Sequence, residues 1–379
     1  MDGEARCPTE PREVWRVTAD GPPDALPPLR LPRRTRWLLA GAVLLLVAAV
    51  VVDLVTGPGT TLSPVLAVAP MLAGATTRRA RRPLVTGAIA TALVAVLEVV
   101  NGRLPSSVHL AALVTVVAAT LVSAGNVVLV AARERELFEV RTVAEAAQRA
   151  LLRPPPEHLG PLRVAVRYVA AAAEARIGGD LYEAADGPQG VRVLLGDVQG
   201  HGLPAVETAA DVLGVFREAA RTEPDLGRLA ERLDAALAGR PENDRFVTAV
   251  LLAVDGPGGR PGFVNCGHPH PLLRRAGRVT ELVPPEHAPP LGLLDLLGGH
   301  YRVGSFDPGP GDLLLLYTDG VSEARNAAGR FFPVAERLAE VTAGNPEDVL
   351  DALLAEVHAW VGDAGLADDA ALLALRWER

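Results

Sequence analysis

Four acidic positions of this chain stand at or beside strand-like apolar runs. Asp197 follows the run Val191-Arg192-Val193-Leu194-Leu195 and sits in the turn Gly196-Asp197-Val198-Gln199-Gly200-His201-Gly202. Asp180 lies upstream in Gly178-Gly179-Asp180. Asp319 follows Leu313-Leu314-Leu315-Leu316 within Tyr317-Thr318-Asp319-Gly320, and Asp368-Asp369 precedes Ala370-Ala371-Leu372-Leu373-Ala374-Leu375. An aspartate at a strand tip can present its carboxylate to a cation, and glycine lets the backbone come close enough for a carbonyl, here that of Val198, to join it. Each position alone is ordinary turn chemistry. Together they point to a hard divalent cation held by oxygen, Mg²⁺ or Mn²⁺. Two such ions about 3.5–4 Å apart can share a water, lower its pKa and neutralise charge as a phosphoryl group transfers, which is what hydrolysis of an anionic phosphate ester requires.

The wider set of motifs resembles the SpoIIE/RsbU-type serine phosphatases, a bacterial branch of the metal-dependent phosphatase 2C family. In order these are Ile177-Gly178-Gly179-Asp180-Leu181-Tyr182, the turn around Asp197, Arg245-Phe246-Val247-Thr248-Ala249, Asn265-Cys266-Gly267-His268-Pro269, Pro290-Leu291-Gly292, Tyr317-Thr318-Asp319-Gly320 followed by Glu323, and Asp368-Asp369-Ala370-Ala371-Leu372-Leu373. The resemblance implies an α+β fold, a four-layer α-β-β-α sandwich, holding two Mn²⁺ or Mg²⁺ ions. Asp197 would bridge the ions, with the Val198 carbonyl on one and Asp319 and Asp368 on the other. Asp180 would orient the waters around them, so that Asp180 and Asp197 carry the catalysis. Asp369 is the alternative last ligand, because adjacent side chains of a strand point to opposite faces and only one can turn inward. Arg176 would contact the phosphate. The implied reaction is hydrolysis of phosphoserine or phosphothreonine on a regulatory protein, with a phosphorylated STAS-domain anti-anti-sigma factor as the expected partner.

Two departures from the family pattern stand out. Glu183 occupies the place after the aromatic where Asp is usual, and no residue matches the histidine that some distant relatives use as general acid. His201 and His268 sit beside glycine or proline in turns and read as structural. Cys266 reads as a small core residue. A rival reading remains open here, in which a catalytically silent domain of the same fold only docks a phosphoprotein; the intact Asp197, Asp319 and Asp368 weigh against it.

Composition narrows the field further. The 379-residue chain contains no lysine, which excludes P-loop nucleotide sites, kinase-type phosphate clamps and Schiff-base chemistry. Its two cysteines, Cys7 and Cys266, are far apart in sequence, which argues against a disulfide framework or a cysteine-built zinc site. The net charge of -8 is carried by the C-terminal part, and no basic stripe is interleaved with aromatics, so nucleic acid is not an expected partner.

The elements that must position these residues are legible in outline. Residues 1–36 form a Pro/Arg-rich tail. Residues 37–132 contain four apolar runs, near 37–55, 62–76, 84–100 and 110–132, expected as a four-helix transmembrane region of a multi-pass cell-membrane protein. Arginines cluster before the first run, between the second and third, and after the fourth, which places both ends and the catalytic domain in the cytoplasm. The second run carries Pro64 and Pro70 and could be re-entrant instead. Asp53 and Glu98 near the span ends leave a functional and a snorkelling role open.

Residues 133–156 predict one amphipathic linker helix, with Leu137, Val140, Ala144, Ala147 and Leu151 on one face and Pro154-Pro155-Pro156 as the stop. That face suits either packing on its own catalytic domain or a homodimer seam. Residues 157–379 form the phosphatase-like domain. Its strands are expected near 162–168, 191–195, 246–254, 263–265, 313–317 and 371–375, and its helices near 203–220, 229–237 and 349–361.

Overall fold

The computed structural model describes residues 33–56, 63–100, 107–170, 178–238, 245–254 and 260–378. They divide into two compact units, one ending at Glu139 and the other beginning at Val140.

The first unit contains α1 (Arg33–Thr56), a short 3₁₀ segment (Ser63–Ala67) running into α2 (Val68–Ala75), α3 (Arg81–Val100) and the first part of α4 (Ser107–Leu151). A small core forms from Leu66, Ala67, Ala90, Val94, Leu97, Ala112, Val116 and Ala119. Leu44, Val55, Ile89, Val100, Leu110, Leu121 and Val122 point outward.

The four-span expectation is corrected in part. Among the described residues one helix, Leu110–Glu136, is long and apolar enough to cross a membrane, at 27 residues and a mean hydropathy of 2.2. At 1.5 Å per residue it spans about 40 Å. The apolar stretches Leu46–Val55 and Pro64–Ala75 are shorter. In the second run the helical segment restarts as an α-helix of only 8 residues, too short for the ~30 Å of hydrocarbon. Asp53 is buried within this unit; the Glu98 side chain and the Pro/Arg-rich tail up to residue 32 lie outside the described residues.

The second unit begins in the last turns of α4 and continues with β1 (His158–Leu159), β2 (Leu162–Val169), β3 (Asp180–Gly187), β4 (Gly190–Val198), α5 (Leu203–Thr222), α6 (Leu226–Ala238), β5 (Val247–Val254), β6 (Gly262–Cys266), β7 (Leu272–Arg275) and β8 (Arg278–Glu281). It closes with α7 (Leu294–Leu297), β9 (Gly304–Ser305), β10 (Leu313–Tyr317), α8 (Asp319–Ser322), α9 (Val334–Glu340), α10 (Pro346–Val361) and β11 (Ala370–Trp377). The strands form two sheets, β1-β2-β11-β10-β7-β8 and β3-β4-β5-β6-β9, with every adjacent pair antiparallel.

β10 and β11 show why both faces of a strand can be apolar here. Leu314, Leu316, Leu373 and Leu375 enter the core between the sheets, while Leu313, Leu315, Leu372 and Ala374 face the helices outside. α5 and α6 cover the five-stranded sheet, and α9 and α10 cover the six-stranded one. The layers therefore run helix, sheet, sheet, helix. On α5 the buried stripe carries Val206, Ala209, Val212, Leu213 and Phe216, and Leu203 is exposed.

The end of α4 packs on its own domain. Ala144 is fully buried against Val206 of α5, with Ala147 and Leu151 beside it. Gln148 Nε2 donates to Tyr168 Oη at 2.9 Å and to the Gly178 carbonyl at 3.2 Å. Arg217 Nη2 donates to the Leu151 carbonyl at 2.9 Å. Of the two uses open to this face, packing on its own domain is the one seen at Ala144, Ala147 and Leu151. The side chains of Leu137 and Val140 lie outside the described residues.

Candidate active site

The sheet registers carry the expected aspartates to one edge. β3 and β4 are neighbours, and Asp180 lies directly opposite Asp197. Asp319 follows β10 at the start of α8, and Asp368-Asp369 immediately precedes β11, which pairs with β10. The site has two tiers. Asp319 and Asp368 are exposed and Asp197 is half-buried, whereas Asp180 and Asp369 are 2% and 3% exposed beneath them.

These groups act on one another as like charges. Burial raises the Asp197 carboxyl to about 8, and Asp319, Asp368 and Asp369 push in the same direction. Asp180 is raised well above the carboxylate range by burial, then by Asp197 and Asp369. Asp319 is raised by burial, then by Asp368 and Glu323. Like charges directly opposite each other across a strand pair are destabilising, so the arrangement favours a cation. All the donors are oxygens, as a hard divalent ion prefers. Among the described residues, no three of these side chains close on one point as a finished ligand cage. The donor chemistry fits Mg²⁺ or Mn²⁺.

A buried layer of neutral groups supports the acids; of it, only His268 was read from the sequence, as a structural residue. Thr318 is fully buried, and its hydroxyl donates to Asp180 Oδ2 at 2.9 Å. Thr318 Oγ1 also accepts the Ala371 N–H at 2.9 Å, and the Thr318 N–H donates to the Ala371 carbonyl at 3.0 Å. This residue therefore ties the start of β3 in one sheet to β10 and β11 in the other. Thr318→Val keeps the shape but strands the Ala371 N–H. It is expected to lower stability by about 1–3 kcal/mol, with Thr318→Ser near the unmodified value, as read by chemical denaturation of the full chain.

His268 belongs to the same layer. Its Nδ1 lies 3.0 Å from Thr248 Oγ1, and Thr248 is the β5 partner of Asp197. Asn265 Nδ2 donates to the His268 carbonyl and Asn265 Oδ1 accepts the His268 N–H, which locks the turn. Burial pushes this imidazole down to about 3, which favours the neutral ring. His201 is exposed, and Cys266 is a buried thiol whose pKa burial raises.

Glu183 and Asp234 gain roles from their partners. Glu183 Oε2 accepts from Arg217 Nε at 2.6 Å, on the same arginine that holds the end of α4. Asp234 Oδ1 accepts from the Gly292 N–H at 2.6 Å, the Leu294 N–H at 3.2 Å and Tyr301 Oη at 3.0 Å, which pins the Pro290-Leu291-Gly292 loop. Tyr168 Oη donates a short hydrogen bond to Asp369 Oδ2. Burial, then Asp369 and Asp180, raise the Tyr168 phenol, which keeps it a donor. The expected phosphate contact Arg176 lies outside the described residues.

The family model described as Stage II sporulation protein E (SpoIIE) matches residues 187–378. The chain belongs to the SpoIIE family. It is 28% identical over 158 residues to the phosphoserine phosphatase RsbP of Bacillus subtilis (strain 168), covering 40% of this chain and 38% of that protein. The chain thus spans well under half the length of this curated relative. Among solved structures, the SiaA-PP2C domain of Pseudomonas aeruginosa aligns at a TM-score of 0.53 and 20% identity, covering 65% of this chain and 98% of that one. This likeness shows the mixed α+β PP2C-type fold. The RsbU and RsbW domains of a Mycobacterium tuberculosis protein align at a TM-score of 0.49 and 26% identity over 57% of this chain and 60% of that one.

Proposed function

We propose that this SpoIIE-family chain is a protein serine/threonine phosphatase dependent on two Mn²⁺ or Mg²⁺ ions. The observation that carries the reading is the opening where Asp197, Asp319 and Asp368 stand over Asp180 and Asp369; after burial, the strongest influence on Asp180, Asp197 and Asp319 is a neighbouring carboxylate. Asp197, the Val198 carbonyl, Asp319 and Asp368 would hold the ions. When bound, the ions supply an activated water and neutralise charge on the transferring phosphoryl group.

The chain's own residues provide the rest. Asp180, held by Thr318, would orient water from beneath the rim. The exposed side of Asp319 and Asp368 leaves room for a phosphoserine carried by another protein. A serine-phosphorylated regulatory protein, with a STAS-domain anti-anti-sigma factor as the leading type, is the proposed substrate; the match to a phosphoserine phosphatase supports this class. The apolar Leu110–Glu136 stretch, followed by Arg149 and Arg153 ahead of the catalytic domain, supports membrane attachment with that domain in the cytoplasm.

The test is phosphate release from a phosphoserine protein by the full chain in detergent, with Mn²⁺, with Mg²⁺ and after chelation. Release that needs either ion is expected. Binding of the phosphoprotein with no turnover under any of these conditions would instead establish the silent docking module.

A further inference from the structure

We infer that Tyr168 is a positioning residue for the Asp368-Asp369 pair and that Gln148, on the last turns of α4, sets its hydrogen bond. The inference rests on the phosphatase reading above and adds to it the route by which a helix outside the sheets bears on the candidate ligands.

The direction of each bond follows from what each group can do. The Gly178 carbonyl can only accept, so the Gln148 side chain turns its NH₂ toward it, at 3.2 Å. The second N–H of that amide reaches Tyr168 Oη at 2.9 Å. Having accepted there, the phenol directs its single proton to Asp369 Oδ2. The Asp369 backbone N–H in turn donates to Asp368 Oδ1 at 2.9 Å. The two bonds through the phenol point the same way, from α4 to the Asp369 carboxylate, and aligned hydrogen bonds in a low-dielectric interior polarise and strengthen one another.

The surroundings make this chain of bonds sensitive to where α4 lies. Asp369 is 3% exposed, so no bulk water stands ready to replace the phenol. Gly178 lies so close to Asp369 that a Cβ there would overlap its carboxylate, and Gly178 is two residues from Asp180. Gln148 therefore touches both approaches to the site, through Tyr168 to Asp369 and through Gly178 to Asp180. The register of the helix is fixed on either side of Gln148, by Ala144 seated on Val206 and by Arg217 on the Leu151 carbonyl. A displacement of α4 by the length of one hydrogen bond would release both approaches together. The outer partner of a ligand commonly tunes metal affinity as strongly as this without touching the ion.

The experiment uses the full chain in detergent, with Mn²⁺ binding followed by the electron paramagnetic resonance of free Mn²⁺ and turnover followed by phosphate release from a phosphoserine protein. Tyr168→Phe removes one oxygen. It is expected to weaken Mn²⁺ binding roughly 10-fold and to raise the half-activating Mn²⁺ concentration in step, with KM for the phosphoprotein changed less than about two-fold. Gln148→Met, close in shape and unable to donate, shifts both in the same direction, and it carries the test if Tyr168→Phe does not fold. The double variant should fall short of the product of the two single effects, because Gln148 acts largely through the phenol. Tyr168→Phe that binds Mn²⁺ as tightly as the unmodified chain, or two effects that simply multiply, would overturn the inference and leave the phosphatase reading standing. An unmodified chain that neither binds Mn²⁺ nor releases phosphate would overturn both.

Discussion

Asp197→Asn is expected to abolish metal-dependent phosphate release, by a factor on the order of 10³ or more, while the fold survives. The substitution is nearly isosteric and removes the carboxylate on which Asp319, Asp368 and Asp369 all act. In metal-free protein it relieves like-charge repulsion, so stability should match the unmodified chain near pH 4 and exceed it increasingly toward pH 8. The pH dependence gives a sharper signature. The folded Asp197 carboxyl is raised to about 8, whereas in the unfolded chain it titrates near its ordinary value of about 4. Between those values the folded state holds a proton that the unfolded state has lost. Metal-free stability contributed by this group is therefore full below about pH 4 and falls as pH rises toward 8, by up to about 1.4 kcal/mol per pH unit for one proton, then levels off. The Asn variant should lose that slope. It should also lose the stabilisation that Mn²⁺ gives the native state, about 2.7 kcal/mol at a hundred-fold excess over Kd for the unmodified chain. Thermal unfolding from pH 4 to 9, with and without Mn²⁺, measures both. An Asp197→Asn protein that keeps Mn²⁺-dependent turnover would remove this residue from the site.

How far the sequence went depends on whether the information was local. β10 and β11 were legible because each is an apolar run buried on both faces, and Asp197 was legible because it ends such a run. β3 was missed: it carries Ala184, Ala185 and Asp186, weak strand formers, and derives its order from pairing with β4. The β7–β8 hairpin was missed as well. Its turn puts Ala276 and Gly277 at positive φ, 48° and 79°, and an alanine there does not advertise a turn as asparagine or glycine would. The supporting layer was invisible for a different reason. Thr318 and Asp180 are separated by 138 residues, Tyr168 and Asp369 by 201, and such pairs exist only once two sheets have stacked. The motifs contained these residues, but nothing in their spacing said which polar group would meet which. In the membrane-like region the difficulty was opposite: apolar length suggested four spans, but prolines and a 3₁₀ segment shorten the second.

Gly320→Ala is expected to be among the most damaging single-methyl additions to the catalytic unit. Gly320 does not have the left-handed backbone that usually demands glycine; it is needed because α8 meets the strand that follows Asp369. A Cβ at Gly320 would overlap the backbone oxygen of Asp369, and the next contacts, the Asp369 carbonyl carbon at 2.7 Å and Ala370 Cα at 3.4 Å, are backbone too. No side chain can swing aside to make room. Either α8 moves, carrying Asp319 with it, or the Asp368-Asp369 segment does, and both lie on the rim of the site. Overpacking of this kind costs about 3 kcal/mol or more. The control is Gly214, exposed in the middle of α5 with nothing within 4 Å of an added Cβ. There the same change should stabilise the unit by about 0.5–1 kcal/mol, because alanine is the better helix former. Denaturant unfolding of the two full-length variants, together with phosphate release, reads both signs. A Gly320→Ala protein as stable and as active as the unmodified chain would mean that α8 and the start of β11 do not approach as the structure has them, and that Asp319 and Asp368 are not held at one opening by that contact.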